Sequence, residues 1–206
     1  MTGGFDTPWK TIHCPQCGAP LPLYISHVKL AQCGSCGSSI FIEDEAARVA
    51  GKSSVLAPEP SLITINQPFG YAGKNYFPLG KIRYSYGRGF WEEWWIKDSS
   101  EHEYWLSVDE GDMVLERLVE NSYDLSLFEN ASIDQKVDNE WIITEIGRGT
   151  CEGFSGTLPW NIHIGESYRY FHLSGRHAQL KTIEIDASGM KTYQGKWINP
   201  FDIKVQ

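Results

Sequence analysis

The chain has 206 residues, 41% hydrophobic and 21% charged, with a net charge of −8. That length holds a small module plus one domain with its own core, and the acidic balance argues against nucleic acid or anionic lipid as partner, since both need clustered Lys and Arg. No apolar run approaches the roughly 20 residues of a membrane-spanning helix, and residues 1–6 carry no basic-then-apolar leader, so we expect no membrane insertion and a cytoplasmic protein.

The first element is a pair of cysteine knuckles. Cys14 and Cys17 stand in His-Cys-Pro-Gln-Cys-Gly, Cys33 and Cys36 in Gln-Cys-Gly-Ser-Cys-Gly, with fifteen residues between the two pairs. Two residues between cysteines let one tight turn aim both sulfurs at one point, and two such turns make a closed tetrahedron of thiolates, the ligand set of a structural Zn²⁺. Gly18 and Gly37 follow the second cysteine of each pair, where the chain turns back. All four positions are sulfur, so none is left open for a substrate. Thiolates that bind metal rather than oxidise also point to a reducing compartment. Only Lys10, Lys29 and Asp6 are charged in residues 1–36, so the module lacks the basic surface of a nucleic-acid finger. His13 beside Cys14 reads as an exposed residue rather than a ligand.

Residues 1–42 are therefore read as a zinc ribbon, with Leu21–Ile25 and Ser39–Ile42 as short strands. Residues 43–61 read as a short helix and a linker. The acids of Glu43-Asp-Glu open the helix and Arg48 closes it, matching the macrodipole; Lys52 to Ser61, with two prolines and three serines, reads as the linker.

Residues 62–206 read as an all-β domain rich in tryptophan; the whole chain has eight. Lys81–Tyr86, Phe90–Lys97, His102–Val108 and Met113–Glu116 alternate as strands, with turns at 87–89, 98–101 and 109–112. That is an antiparallel meander. Residues 119–140 read as a loop or short helix joining the halves. Strand-like stretches follow at 141–146, 168–173, 180–186 and 190–193. The expected fold is all-β: an N-terminal zinc ribbon followed by an antiparallel β-sandwich or barrel-like domain.

Several phrases carry a resemblance. Phe77-Pro-Leu-Gly-Lys-Ile-Arg-Tyr, Trp91-Glu-Glu-Trp-Trp-Ile, Tyr104-Trp-Leu-Ser-Val, Gly156-Thr-Leu-Pro-Trp-Asn and Tyr193-Gln-Gly-Lys-Trp-Ile resemble the bacterial family catalogued as domain of unknown function 4178, over roughly residues 60 to 206. Members often carry an N-terminal Cys-Pro-x-Cys-Gly ribbon, as here. The family supplies no catalytic residues to carry over. The resemblance implies a helper role near membrane-stress and polyamine-related proteins, by association only.

Candidate chemistry outside the cysteines is sparse. Phe90, Trp91, Trp94, Trp95, Tyr104 and Trp105 read either as core or as a platform for a cation, a planar ligand or a partner. Core is the commoner use of such rings. Alternation sets Trp94 and Ile96 on one face and Trp91 and Trp95 on the other, making Trp91 or Trp95 the candidates for exposed contact. The possible ligand or partner surface is Trp91, Glu92, Glu93, Trp95 and Trp105. Glu92 and Glu93 point to opposite faces of a strand, so they are no catalytic pair; one of them is expected in an ion pair with Lys81, Arg83 or Arg88. Cys151 with His163, His172 or His177 lacks a nucleophile signature and reads as a buried thiol. The glycines of 147–156 read as strand bends, since no Gly-Lys-Ser/Thr follows. No catalytic residue is assigned. The expected function is a non-enzymatic adaptor that contacts other proteins, some of them membrane-bound. The alternative is a binding module for a cationic metabolite such as a polyamine; an undescribed enzyme and a nucleic-acid binder come behind both.

Overall fold

The computed structural model describes residues 7–43, 46–49, 56–57, 59–120 and 122–205. The N-terminal module contains β1 (Lys10–His13) and β2 (Pro20–Leu23), paired around the first knuckle, then β3 (Leu30–Gln32), β4 (Ser39–Glu43) and β5 (Ala46–Val49), a second small antiparallel sheet. The helix expected from residue 43 onward is absent over 46–49. There the chain returns as β5 against β4, with the Arg48 guanidinium 2.7 Å from the Glu43 carboxylate. Helix propensity in a short segment yields to the hydrogen bonds offered by a neighbouring strand. Half of the linker expected at 52–61, residues 52–55 and 58, lies outside the described residues.

The domain contains β6 (Phe69–Tyr71), β7 (Lys74–Ser85), β8 (Phe90–Asp98), β9 (Glu103–Asp109) and β10 (Asp112–Val119). A short helix α1 (Ser126–Glu129) follows, then β11 (Ile142–Leu158), β12 (Ser167–Ser174), β13 (Gln179–Asp186), β14 (Gly189–Ile198) and a final β15 (Lys204–Val205). Both meanders expected from alternation are present. They join edge to edge as β7-β8-β9-β10-β14-β13-β12-β11, and β11 pairs back onto β7. The result is a closed antiparallel barrel of eight strands, one of the two architectures the sequence left open.

Closure rests on a close backbone approach. A Cβ on Gly80 would lie 2.1 Å from the Thr157 carbonyl oxygen, and one on Gly156 would lie 2.4 Å from that of Leu79. Neither position has room for a side chain. The 147–156 glycines bend β11 as expected, with a register shift between Cys151 and Gly153.

Apolar residues cover the barrel on its outside as well as filling one end inside. Trp94, Ile96, Leu106 and Met113 face outward and are covered by Ile63, Phe69 and Ile198. Phe171, Leu173 and Ile183 are covered by Phe128 and Trp141 from the crossover between the meanders. A third cluster is continuous with the N-terminal module. Leu21, Leu23, Ile25, Val28, Leu30 and Ile40 pack in one body with barrel residues such as Phe77, Leu79, Trp95, Trp105 and Leu158. β3 extends the barrel sheet, pairing Leu30 with Leu158 and Ala31 with Thr157. The module is thus docked on the barrel, not held away from it as a tethered knob.

Candidate functional site

Two sites emerge, one in the module and one inside the barrel. In the module the four sulfurs of Cys14, Cys17, Cys33 and Cys36 all lie within 4.8 Å of one another. Each knuckle is built the same way. Gly18 N–H donates to the Cys14 carbonyl and Gly37 N–H to that of Cys33, both at 2.8 Å, and both glycines take positive φ, 74° and 72°. Cys14 Sγ is 3.8 Å from Cys36 Sγ, and Cys17 Sγ is 3.7 Å from Cys33 Sγ. A tetrahedron of metal–sulfur bonds about 2.3 Å long has an edge of about 3.8 Å, so the residues fit a four-thiolate metal ion. Cys14 and Cys33 are buried, Cys17 and Cys36 exposed. His13 is exposed and stands outside the cluster.

The barrel interior holds a cavity of about 240 Å³. Its carboxylates come from strands that are distant in sequence. Glu93 lies on β8, Glu116 on β10 and Glu184 on β13, and all three line the space. Asp109, Asp112 and Glu145, all exposed, line it too and form its mouth. His172 is the one basic side chain among its lining residues; no lysine or arginine is there among the described residues. The walls are aromatic: Trp91, Trp105, Tyr168, Tyr170 and Tyr193.

Each interior carboxyl is held by a neighbour. Glu93 Oε1 accepts from Trp91 Nε1 at 2.9 Å and from the Tyr168 hydroxyl at 2.8 Å. Glu116 Oε1 accepts from Thr182 Oγ1 at 2.8 Å. The Tyr193 hydroxyl bonds to Glu184. Burial pushes all three carboxyls up. Glu116 rises to about 7, Glu93 rises despite its two donors, and Glu184 goes well above the usual range through burial and then the charge of Glu93. At Glu145 the order reverses: the His172 imidazole, 2.9 Å from Glu145 Oε2, holds Glu145 below its ordinary value. Burial therefore biases the three interior carboxyls toward their neutral forms.

Two glycines make room for the walls. A Cβ on Gly149 would sit 2.5 Å from the Trp91 ring, and one on Gly147 would sit 2.3 Å from the Tyr170 ring. Gly149→Ala is expected to push Trp91 into the cavity and destabilise the fold by about 1–3 kcal/mol, the usual cost of overpacking. Denaturant unfolding of the variant checks this.

The residues singled out in the sequence are divided by the barrel wall. Trp91, Glu93 and Trp105 line the cavity. Glu92 faces outward, buried, where Lys81 Nζ and Arg83 Nη2 approach its Oε1 at 2.6 and 2.7 Å. Trp95 is fully buried beneath the module, and Trp91 is only 7% exposed, so neither offers the outer contact expected of it. Alternation sorts residues between two faces, but it does not say that the second face is an enclosed space. Cys151 is buried and its thiol is pushed up to about 12 by burial. Its cross-strand neighbour is Tyr84, not a histidine, and a thiol so raised is no nucleophile at neutral pH. The sequence reading missed Glu116, Glu184 and the tyrosines. Among the described residues no helix is long and apolar enough to cross a membrane.

Fold and sites together define a closed antiparallel barrel with an acidic interior and a docked four-cysteine module. The family described as Domain of unknown function (DUF4178) matches residues 65–200, and the chain belongs to that family. No curated protein and no solved structure matches it.

Proposed function

We propose that this protein is a binding module that takes a small organic cation, an amine, into its barrel, with Zn²⁺ as a structural ion in the cysteine module. The observation that supports the amine is the lining of the cavity: three interior carboxyls, aromatic walls, and no lysine or arginine among the described residues. A buried carboxyl without a cation keeps its proton. An ammonium group that enters displaces that proton and forms a charge-assisted bond in a low-dielectric space. The aromatic walls add cation–π attraction. The donor chemistry of the other site, four thiolates at tetrahedral spacing, supports zinc. When bound, zinc neutralises thiolate repulsion and holds the two knuckles together; the cysteines present no open position for chemistry.

Calorimetry with spermidine as the probe tests the reading. We expect binding with proton release, so the heat changes with the ionisation enthalpy of the buffer, and a change in tryptophan fluorescence from Trp91 and Trp105. Unchanged heat and unchanged fluorescence would remove the amine reading. A second reading, the adaptor that contacts other proteins in a reducing compartment, draws support from Trp9, 56% exposed beside β1, since exposed tryptophans are frequent anchors for partners. A Trp9→Ala chain that recovers the same partners from native cells as the unaltered chain would count against it.

A further inference from the structure

The cysteine module and the barrel cavity are separated by a single layer of rings. Trp105 lines the cavity. In the sheet it stands between Trp95 on β8 and Glu116 on β10, each its direct cross-strand partner. Trp95 in turn meets the module. The His27 ring lies edge-on to it at 5.8 Å, His27 Nε2 is 3.0 Å from Glu103 Oε1, and Trp95 Nε1 donates to Glu103 Oε2 at 3.2 Å. A continuous row therefore runs from His27 through Trp95 and Trp105 to the buried carboxyl of Glu116.

Other contacts fix the module on the same end of the barrel. Lys97 Nζ donates to the Tyr24 carbonyl at 3.3 Å, and the Tyr24 ring packs edge-on against Phe77 at 5.3 Å. The Lys29 amide donates to the Leu158 carbonyl at 2.9 Å. Just past Leu158, Trp160 stacks on Trp105 at 4.9 Å. Trp105, which bounds the cavity, has Trp95 as its cross-strand neighbour, and it is Trp95 that the module's His27 contacts.

We propose that the module backs the floor of the cavity through Trp95, so that metal binding at the four cysteines and cation binding in the barrel are coupled, each tightening the other. This rests on the reading of the cavity as a cation site. The bistable element is the module itself. A small thiolate site folds its segment when metal binds and releases it when metal leaves. With the segment released, Trp95 loses His27 and no longer backs Trp105 firmly, and the cavity opens to water at its closed end. Water raises the local dielectric and weakens an ammonium–carboxylate bond. By linkage the bound cation must return the same factor to the metal.

The test measures both directions on the full chain. Spermidine affinity is compared between zinc-loaded and metal-stripped protein, and zinc affinity is compared by chelator competition with and without spermidine. We expect both to shift by the same factor, about tenfold and within the 5- to 150-fold span of such couplings. Hydrogen exchange of the stripped protein is expected to lose protection in the module and keep it in the barrel strands. His27→Ala, which touches neither the cysteines nor the cavity lining, is expected to shrink the coupling factor while the zinc-loaded protein still binds spermidine. Equal spermidine affinity with and without zinc overturns the coupling and leaves the cation site standing. No spermidine binding even to zinc-loaded protein overturns the cation site and the coupling with it. Loss of exchange protection throughout the barrel on stripping also overturns the proposal, because the metal would then act on the whole fold rather than on the floor.

Discussion

Glu116→Gln is expected to stabilise the empty protein at pH 8 while sharply weakening its affinity for amines. The folded carboxyl titrates at about 7 against an ordinary 4.5, because burial disfavours the charge. The unfolded chain therefore gives up this proton first as pH rises. Stability from the group is full below about 4.5 and is lost as pH climbs through about 7. A shift of that size corresponds to about 3 kcal/mol lost by pH 8. Glutamine keeps the shape and the acceptor for Thr182 Oγ1 but cannot ionise. The variant should regain most of that loss, a rise of roughly 6–12 °C in unfolding midpoint for a chain of this size. Glu93 and Glu184 are raised in the same sense, so they should add to the stability lost as pH rises, and saturating spermidine should restore it. Removing one partner of a buried charge pair costs about 3–5 kcal/mol, so binding to Glu116→Gln should weaken at least about 100-fold. Thermal unfolding across pH, with and without spermidine, measures all of this. A flat pH profile, or amine binding that survives the substitution, would falsify the idea that these carboxyls hold the ligand.

The second large effect lies in the cysteine module. Cys33→Ser removes one thiolate of the four and is expected to take metal content from one ion per chain to near none by elemental analysis. Apparent binding energies of structural zinc sites are about 10–16 kcal/mol, more than a segment of this size can replace by packing alone. The loss should reach the barrel. Leu23, Ile25, Leu30 and Ile40 share a core with Phe77, Leu79 and Leu158, and each buried aliphatic side chain is worth about 1.5–3 kcal/mol. We expect a lower unfolding midpoint, new binding of a hydrophobic dye, and rapid amide exchange at β1 to β4. A variant that kept its metal and its exchange protection would show that the sulfurs are not the staple.

The parts of this molecule that sequence makes visible are local ones. Knuckle spacing exposed Cys14, Cys17, Cys33 and Cys36 because two-residue gaps and trailing glycines are written in adjacent letters. Alternation exposed both meanders for the same reason. The cavity stayed hidden because its carboxyls meet only through the register of distant strands. A second reason is an inversion. Along β13, Ile183 faces outward under Phe128 while Thr182 and Glu184 line the interior. On β10, Met113 faces outward and Val114 and Glu116 line the interior. A reader who assumes apolar residues face in and polar residues face solvent assigns both strands backwards. The clue was present in the crossover, whose Phe128 and Trp141 need an apolar sheet face to cover. Ala46–Val49 failed differently: four residues carry too weak a helical preference to resist pairing with Ser39–Glu43.

The pairing of Leu30 with Leu158 also sets an order of events as the chain is made. The cysteine module leaves the ribosome before the barrel does, so its four sulfurs are open to a metal before the barrel exists. Its docking strand is the end of β11, which does not exist until the first meander and the crossover have been synthesised. Until then the apolar side of the module lacks Leu158 and the strand that β3 pairs with. Contacts between segments this far apart form slowly, since the loop must close before any packing energy is gained. The nascent chain therefore carries a finished metal site and an unfinished surface together, and that interval is when aggregation or chaperone capture is most favoured.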